Sequence, residues 1–436
     1  MNSIKAGLLG FGTIGSGVVK VFQKNGALMQ ERLGVPVELV KIADLDITSD
    51  RGVAVDAAIL TTDANAVLED PEIQVVIELI GGYEPARTFV LQAIGQGKHV
   101  VTANKALLAK HGSEIFAAAE AAGVNVLFEA AVGGGIPVIS AIRENLGANQ
   151  IKSLFGILNG TCNYILTRMN EDGADFENVL QDAQSKGYAE ADPTFDIEGV
   201  DTAHKLALLC SLCFGTRVDF DSIYTEGISR VTALDIQFAG AFGYTLKLLA
   251  IGKRSGDQIE ARVHPTMIPL NYPLADINGV FNAVRLVGDF VGPVLLSGLG
   301  AGSEATASAV MGDVAAIARD LAGGGSLRNP PLAYPQATMR DLGIKPMTEI
   351  SSCYYLRFFA KDQPGVLGTI AGILGKHQIS IESMLQPHRH EAEAVPIVLM
   401  THKAIESNVQ AALAEIDRQD VIQDESLFIR IENTLE

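Results

Sequence analysis

"SIKAGLLGFGTIGSGVVKVF", residues 3–22, is a short apolar run, a glycine-rich turn and a second apolar run. In that order they predict a strand, a tight turn and a helix. Gly10, Gly12 and Gly15 match G-x-G-x-x-G. The first glycine permits the turn, the second lets backbone approach a pyrophosphate, and the third allows close packing of helix on strand. Phe11, Thr13 and Ile14 fill the turn and present their backbone to the same phosphates. Glycines recur in many turns, so it is the placement between strand and helix that predicts a dinucleotide-binding unit.

Working outward, "PVELVKIADLD" is a strand that ends at Asp44, where such units place an acid for the ribose hydroxyls. An acid there favours NAD, whereas Arg51 a few residues on could meet the 2′-phosphate of NADP, so the expectation is NAD(P). A purely local reading, an acid closing a strand into a loop, competes for Asp44. "IQVVIELIGG" and "KHVVTANK" are two further strands separated by a helix over residues 85–96. This alternation predicts an α/β fold built on a Rossmann-like, doubly wound parallel sheet over residues 1–134. "LSGLGAGSEATASAVMGDVAAIARDLA" resumes the same glycine-turn-into-helix style. Residues 300–325 are therefore expected to complete the first domain, with Gly302 returning backbone to the cofactor. Residues 135–299 read as an α+β catalytic and oligomerisation domain, and the Gly- and Pro-rich residues 326–348 as a linker. Residues 349–436 follow the order β-α-β-β-α-β, a self-contained ferredoxin-like unit.

Composition narrows the function classes. The chain has 436 residues, 33 basic against 51 acidic side chains and a formal charge of −18. That balance repels nucleic acid and anionic membranes, so an anionic ligand must be held by local dipoles and a few placed cations. Cys162, Cys210, Cys213 and Cys353 are too few and scattered for a disulfide framework, and the chain reads as cytoplasmic. Cys210 and Cys213 sit in the apolar run "LALLCSLCF" and are expected to be buried thiols. No apolar run reaches membrane-spanning length.

"EADPTFDIEGVDTAHKLALLCSLC", residues 190–213, crowds acids into its first half and then becomes an apolar helix interrupted by Lys205. A solvated lysine is out of place there. Asp201 is one turn earlier on the same face. Locally the two could be a helix cap and its i,i+4 partner. His204 projects about 100° away around the helix and is expected to be structural.

"GLLGFGTIGSGV", "VTANKALLA", "FEAAVGGGIPVI", "GILNGTCNYI" and "GYAEADPTFDIEGVDTAHKLALL" together resemble bacterial homoserine dehydrogenase, and "DQPGVLGTIAGILGKHQISIESM" resembles an ACT domain. The resemblance covers nearly the whole chain and is most specific over residues 187–205. It implies NAD(P)-dependent interconversion of homoserine and aspartate 4-semialdehyde, on the route to threonine and methionine. Removing a hydride from a carbinol carbon requires the hydroxyl proton to leave, and the reverse reaction wants a cation on the carbonyl. A lysine of lowered pKa serves both needs. Lys205 is the expected proton carrier and Lys105, at the carboxyl edge of its strand, the supporting cation; either lysine could exchange roles with the other. The resemblance further places substrate-binding acids at Glu190, Asp196 and Asp201, and pocket-lining residues at Asn159, Gly160 and Thr161. It also implies a monovalent-cation site, sodium for instance, from Glu129 and backbone oxygens near Val132, Gly134 and Ile136. From the residues alone that stretch is equally a tight turn into a helix.

In the tail, the resemblance puts an amino-acid effector at the turn of Asp362, Gly365, Val366 and Leu367. Threonine is the expected effector, and a homo-oligomer, dimer or tetramer, the expected assembly. A dimerisation module without a ligand fits the same residues. Two other functions remain open at this point: a non-catalytic amino-acid sensor on a dehydrogenase scaffold, and another ACT-bearing hydroxy-acid dehydrogenase. The latter would need a catalytic His–carboxylate pair.

Overall fold

The computed structural model describes residues 3–325, 329–386 and 394–435. Six parallel strands, β1 (Ile4–Leu9), β2 (Val37–Ala43), β3 (Leu60–Thr61), β4 (Ile73–Glu78), β5 (His99–Thr102) and β6 (Val126–Leu127), form one sheet in the order β3-β2-β1-β4-β5-β6. β1 and β4 are almost wholly buried, because helices cover both faces of the sheet, and they therefore read as unbroken apolar runs rather than alternating ones. The strand order reverses between β1 and β4, and ligands of such sheets sit at this switch point. The glycine turn after β1 opens there into the helix Thr13–Leu33. The helix Ser303–Ala322 returns to pack on it. Close approach is possible because residue 17 is glycine: a Cβ would stand 2.7 Å from Ser303 Oγ and 2.8 Å from Ser303 O.

The second sheet is mixed and long. In spatial order its main path runs Gly292–Leu299, Phe281–Gly288, Ile151–Ile157, Tyr244–Ser255, Gln258–Pro269, Leu427–Ile431, Ser351–Lys361, Ala394–Thr401 and Ile381–Leu385. The helix Val200–Phe214 packs on Tyr244–Ser255 and Gln258–Pro269 with one side and on the helix Lys105–Ala122 of the first domain with another. It is wedged between two layers, so every residue from Asp201 to Phe214 is buried, charged ones included. Cys210 and Cys213 lie inside it as buried free thiols.

Residues from Ser351 on keep the expected order: strand Ser351–Lys361, helix Val366–Lys376, strands Ile381–Leu385 and Ala394–Thr401, helix Glu406–Ile416 and strand Leu427–Ile431. The unit does not stand apart as a self-contained module, however. Its last strand pairs in parallel with Gln258–Pro269, Thr266 opposite Arg430 and Met267 opposite Ile431, so one sheet runs through both domains. Charged groups clamp the seam, with Arg262 and Lys253 on Glu432 at 2.5 and 2.7 Å. Burial of such ions is tolerable only when each is paired, and the sequence alone does not show which partner lies across a domain boundary. The preceding stretch is also held rather than free. Gly343–Ile344 pairs with Gln258 and Ile259, and Arg340 N–H donates to Gly215 O at 2.8 Å. The expected linker begins with residues 326–328, which lie outside the described residues.

Because the sheet is shared, removing residues 349–436 uncovers the Gln258–Pro269 edge at Thr266 and Met267 and leaves the buried Arg262 without Glu432. The shortened enzyme is expected to aggregate and to lose activity. Soluble yield, size-exclusion chromatography and turnover check this, and a monodisperse core with full turnover would contradict the shared-sheet account.

Candidate active site

The nucleotide turn is built as its glycines require. Gly10 has φ +98, and a Cβ there would meet Leu79 O at 2.6 Å; a Cβ on Gly15 would stand 2.2 Å from Gly10 O. Gly12 faces open space, with nothing within 4 Å of a Cβ position, which leaves the backbone bare for a phosphate at the helix N-terminus. Ser303 Oγ donates to Thr13 O at 2.5 Å and ties the returning helix to this turn. Asp44 braces the turn as well: its carboxylate accepts from Phe11 N–H at 2.5 Å and from Asp46 N–H at 2.8 Å. Arg51 lies on the same loop, paired with Asp46 at 3.0 Å. The turn thus fits a dinucleotide.

The Thr13 and Ile14 end of the turn faces a cleft of about 680 Å³ that also exposes Lys105, Gly134, Glu190, Asp196, Asp201, Lys205 and Gly302. The fold brings these sequence-distant residues to one wall-to-wall site. Gly10, Phe11, Gly12, Gly15, Asp44 and Arg51 do not line this cleft, nor do Glu129, Val132 and Ile136.

At the centre, one Asp201 carboxylate serves two ammonium groups, Lys205 Nζ at 2.7 Å and Lys105 Nζ at 3.0 Å. Asn159 Nδ2 donates both to Asp201 at 2.9 Å and to Asp196 at 2.8 Å, bridging the two acids. Lys205 Nζ donates also to Leu158 O at 2.6 Å. Burial pushes the Lys205 pKa down, Asp201 opposes that and Lys105 reinforces it; the net direction is down. Burial would push Asp201 up, yet the two ammoniums prevail and hold its carboxyl well below the usual range. Asp196 is moved the other way, up, by burial. The local i,i+4 pairing of Asp201 with Lys205 is therefore real, but it is buried and shared with a third group, which a solvated helix pair is not. Lys105 is more open, its side chain 33% exposed against 10% for Lys205.

Glu190 is an exposed rim residue. Thr161 Oγ1 donates to Tyr188 O at 2.6 Å, fastening the acidic loop to the helix Gly160–Asp172. His204 stacks on Phe220 with ring centroids 4.1 Å apart, and burial lowers its pKa, in keeping with a structural part. The Leu158 carbonyl, the Asn159 bridge and the Ser303 tie were not predicted as such. The first is a backbone atom with no residue-type signal, and the others depend on tertiary juxtaposition.

For the expected cation, Glu129 is buried and its two oxygens accept from Ile139 and Ser140 N–H at 2.7 and 2.8 Å. Its own N–H donates to Asp313 at 2.8 Å. Burial, and next the neighbouring Glu129, push Asp313 up to about 8. The carbonyls of Val132, Gly134 and Ile136 follow close by in sequence, and the Arg143 cation acts on both Glu129 and Asp313. Among the described residues no cluster of three or more His, Cys, Asp or Glu suits a metal ion, and none of the helices is long and apolar enough to cross a membrane. In the tail turn, Gly365 takes φ +94 as the cap of the helix Val366–Lys376; Gly365 and Leu367 are exposed and Val366 is buried.

Comparison with known proteins agrees with this geometry. Residues 10–129 match the family described as homoserine dehydrogenase, NAD binding domain; residues 137–315 match homoserine dehydrogenase, and residues 354–420 the ACT domain. The chain is 47% identical over 435 residues to homoserine dehydrogenase of Pseudomonas aeruginosa, covering 99% of each chain. It is 38% identical over 433 residues to that of Bacillus subtilis, again covering 99% of each. The crystal structure of homoserine dehydrogenase from Thiobacillus denitrificans superposes with a TM-score of 0.94 at 48% identity, over 100% of this chain and 99% of that one. The nucleotide turn, the cleft beside it and the ACT tail are thus those of an NAD(P)-dependent oxidoreductase, and the chain belongs to the homoserine dehydrogenase family.

Proposed function

We propose that Lys205 takes up the hydroxyl proton of homoserine, that Lys105 steadies the developing oxyanion, and that Glu190, Asp196 and Asp201 hold the substrate's ammonium and hydroxyl groups. The bound nicotinamide supplies the acceptor for the carbinol hydride, or its donor in the reverse direction. The observation that carries this reading is the shared Asp201: one buried carboxylate keeps two amines within 3.0 Å of it. An amine whose pKa is depressed by burial is neutral at a lower pH than a free lysine and so can act as a base. In reduction the protonated amine returns the proton to the alkoxide. One observation favours the exchanged roles: Lys205 already donates to Leu158 O and Asp201, while Lys105 opens more widely onto the cleft.

The lysine variants decide. Oxidation needs the neutral amine, so kcat/KM for homoserine is expected to climb with pH and level off at a midpoint below that of free lysine, about 10.4. Lys205→Met is expected to lower kcat by about 10²- to 10⁴-fold and to flatten that profile, with dinucleotide affinity unchanged. Lys105→Met is expected to leave the rate pH-dependent, with the midpoint moved up because Lys105 no longer depresses Lys205, and to lower kcat, since the oxyanion it steadies develops only in the transition state. An unaltered profile in Lys205→Met would transfer the proton to Lys105.

Further expectations rest on the same fold. Threonine is the proposed effector of the ACT domain, and the exposed Gly365 turn at the start of the helix Val366–Lys376 supports placing it there. A homo-oligomer is supported by Phe281, Phe290, Leu295 and Leu299, apolar side chains exposed at and beside the edge strand Gly292–Leu299. Four unpaired thiols suit the reducing cytoplasm. Glu129 and its neighbouring carbonyls would hold sodium, which would neutralise the Glu129 and Asp313 surround and stiffen the Gly133–Gly134 turn against the cleft. Millimolar threonine is expected to inhibit homoserine oxidation, and Gly365→Ala, strained at φ +94, to relieve the inhibition without lowering basal turnover. Equal inhibition of both enzymes would contradict the assigned effector turn.

A further inference from the structure

Residues 226–235 lie where the catalytic core meets the C-terminal domain, and both ends of the stretch are gripped by that domain. At one end the buried Arg430 donates to the Glu226 carboxylate at 2.7 Å and to Tyr224 Oη at 3.0 Å. Its guanidinium is anchored on its own side by Glu406, at 2.6 and 3.0 Å. At the other end Arg357 Nε and the Tyr355 hydroxyl donate to Asp235 at 2.6 and 3.0 Å. Asp235 is wholly buried and closes the capping box of the helix Ala233–Ala241.

Between these grips the stretch lies on the turn that carries the substrate acids. Ile228 N–H donates to Ile197 O at 2.8 Å, and Ser229 Oγ donates to Glu198 at 2.7 Å. The approach at residue 227 leaves no room for a side chain: a Cβ on Gly227 would stand 2.3 Å from Ile197 O and 2.5 Å from Glu198 Cα. Ile197 directly follows Asp196. Two residues later Gly199, at φ 81, opens the helix that carries Asp201 and Lys205. A Cβ on Gly199 would meet Thr225 and Val263 side-chain carbons at 3.2 Å. The same few residues therefore fix where Asp196 points and where the Asp201 helix begins.

We propose that residues 226–235 are a positioning strap for the substrate pocket, and that Arg430 and Arg357 of the C-terminal domain are positioning residues that act through it on Asp196 and Asp201. The role rests on the reading of those two acids as homoserine ligands. A buried arginine held between carboxylates of two domains cannot slip without unpairing an ion. A small displacement of the C-terminal sheet is therefore passed to the strap instead of being absorbed at the seam. The strand that carries Arg357 runs on into the turn of Asp362 and Gly365, so whatever occupies that turn shares a rigid element with the strap, and coupling between the two sites is reciprocal.

Glu226→Ala tests the strap gently, because the Glu226 side chain is 31% exposed and Arg430 keeps Glu406. The homoserine KM is expected to rise about 5- to 30-fold, the span of ordinary coupling between sites, while the KM for the dinucleotide and the melting midpoint stay put. Amide exchange at Ile228 is expected to quicken. Glu226→Gln, which still accepts from Arg430 and Tyr224, is expected to recover most of the homoserine affinity. Gly227→Ala, which presses on Ile197 O without touching Arg430, is expected to raise the homoserine KM and leave that of the dinucleotide in place, at a lowered melting midpoint because its Cβ meets backbone. An unchanged homoserine KM in Glu226→Ala overturns the proposal, as does a parallel rise of both KM values with a falling melting midpoint. Asp201→Asn, assayed alongside, separates the two readings. If its homoserine KM rises and that of Glu226→Ala does not, only the strap is wrong. If it too is unshifted, the acids are not homoserine ligands and the strap's role falls with them.

Discussion

One carboxylate shared by two ammoniums is the constraint around which this enzyme is arranged. A carboxylate as buried as Asp201, whose side chain is 5% exposed, is tolerable only with close cations, and removing one partner from such a pair costs about 3–5 kcal/mol. Lys205 and Lys105 supply those cations from different domains, so the pair also joins the nucleotide-binding sheet to the catalytic layer. The amines need Asp201 in turn, since two ammoniums sharing an acid this close would otherwise repel. Asp201 and Lys205 set each other's protonation, and the site is poised for proton movement.

The supporting structure follows from that need. The helix Val200–Phe214 carries both Asp201 and Lys205 and must be excluded from water, so it is pressed between Lys105–Ala122 and the long sheet. Gly199 starts it in a left-handed conformation, which turns the chain sharply from the Asp196 loop into the buried helix. Asn159 then reaches from the cap of the helix Gly160–Asp172 to bind both acids. None of these parts would hold if the sheet behind the helix were loose, and that sheet continues into the C-terminal domain through Thr266 and Arg430.

Much of this was legible in the sequence because local chemistry and global fold agree there. Gly10 and Gly15 are needed where backbone would otherwise collide, and their spacing between an apolar strand and a helix announces the parallel sheet. A lysine amid "TAHKLALL" announces a buried amine, since apolar neighbours on all sides leave it no solvated face. That Glu190, Asp196 and Asp201 share one cleft was expected only through resemblance, because an acidic loop looks the same whether it is solvated or binds a ligand. What was not legible is long-range. That Lys105 and Lys205 share Asp201 depends on docking two domains. That Arg430 crosses to Glu226 depends on a parallel strand pair that no local pattern encodes. For Asp44 two readings stood side by side, a ribose ligand and an acid closing a strand into a loop, and the bond from Phe11 N–H to its carboxylate accords with both.

The central claim is a dry lysine with a depressed pKa beside an acid that stays ionised. It is tested most directly by NMR titration of the lysine side chains in enzyme labelled at the ε-carbon, with Lys205→Met used to assign the Lys205 signal. The account predicts that the Lys205 resonance titrates below the ordinary lysine value of about 10.4, and that replacing Asp201 by Asn lowers it further. A Lys205 resonance that titrates with the surface lysines, and ignores the loss of Asp201, would contradict it.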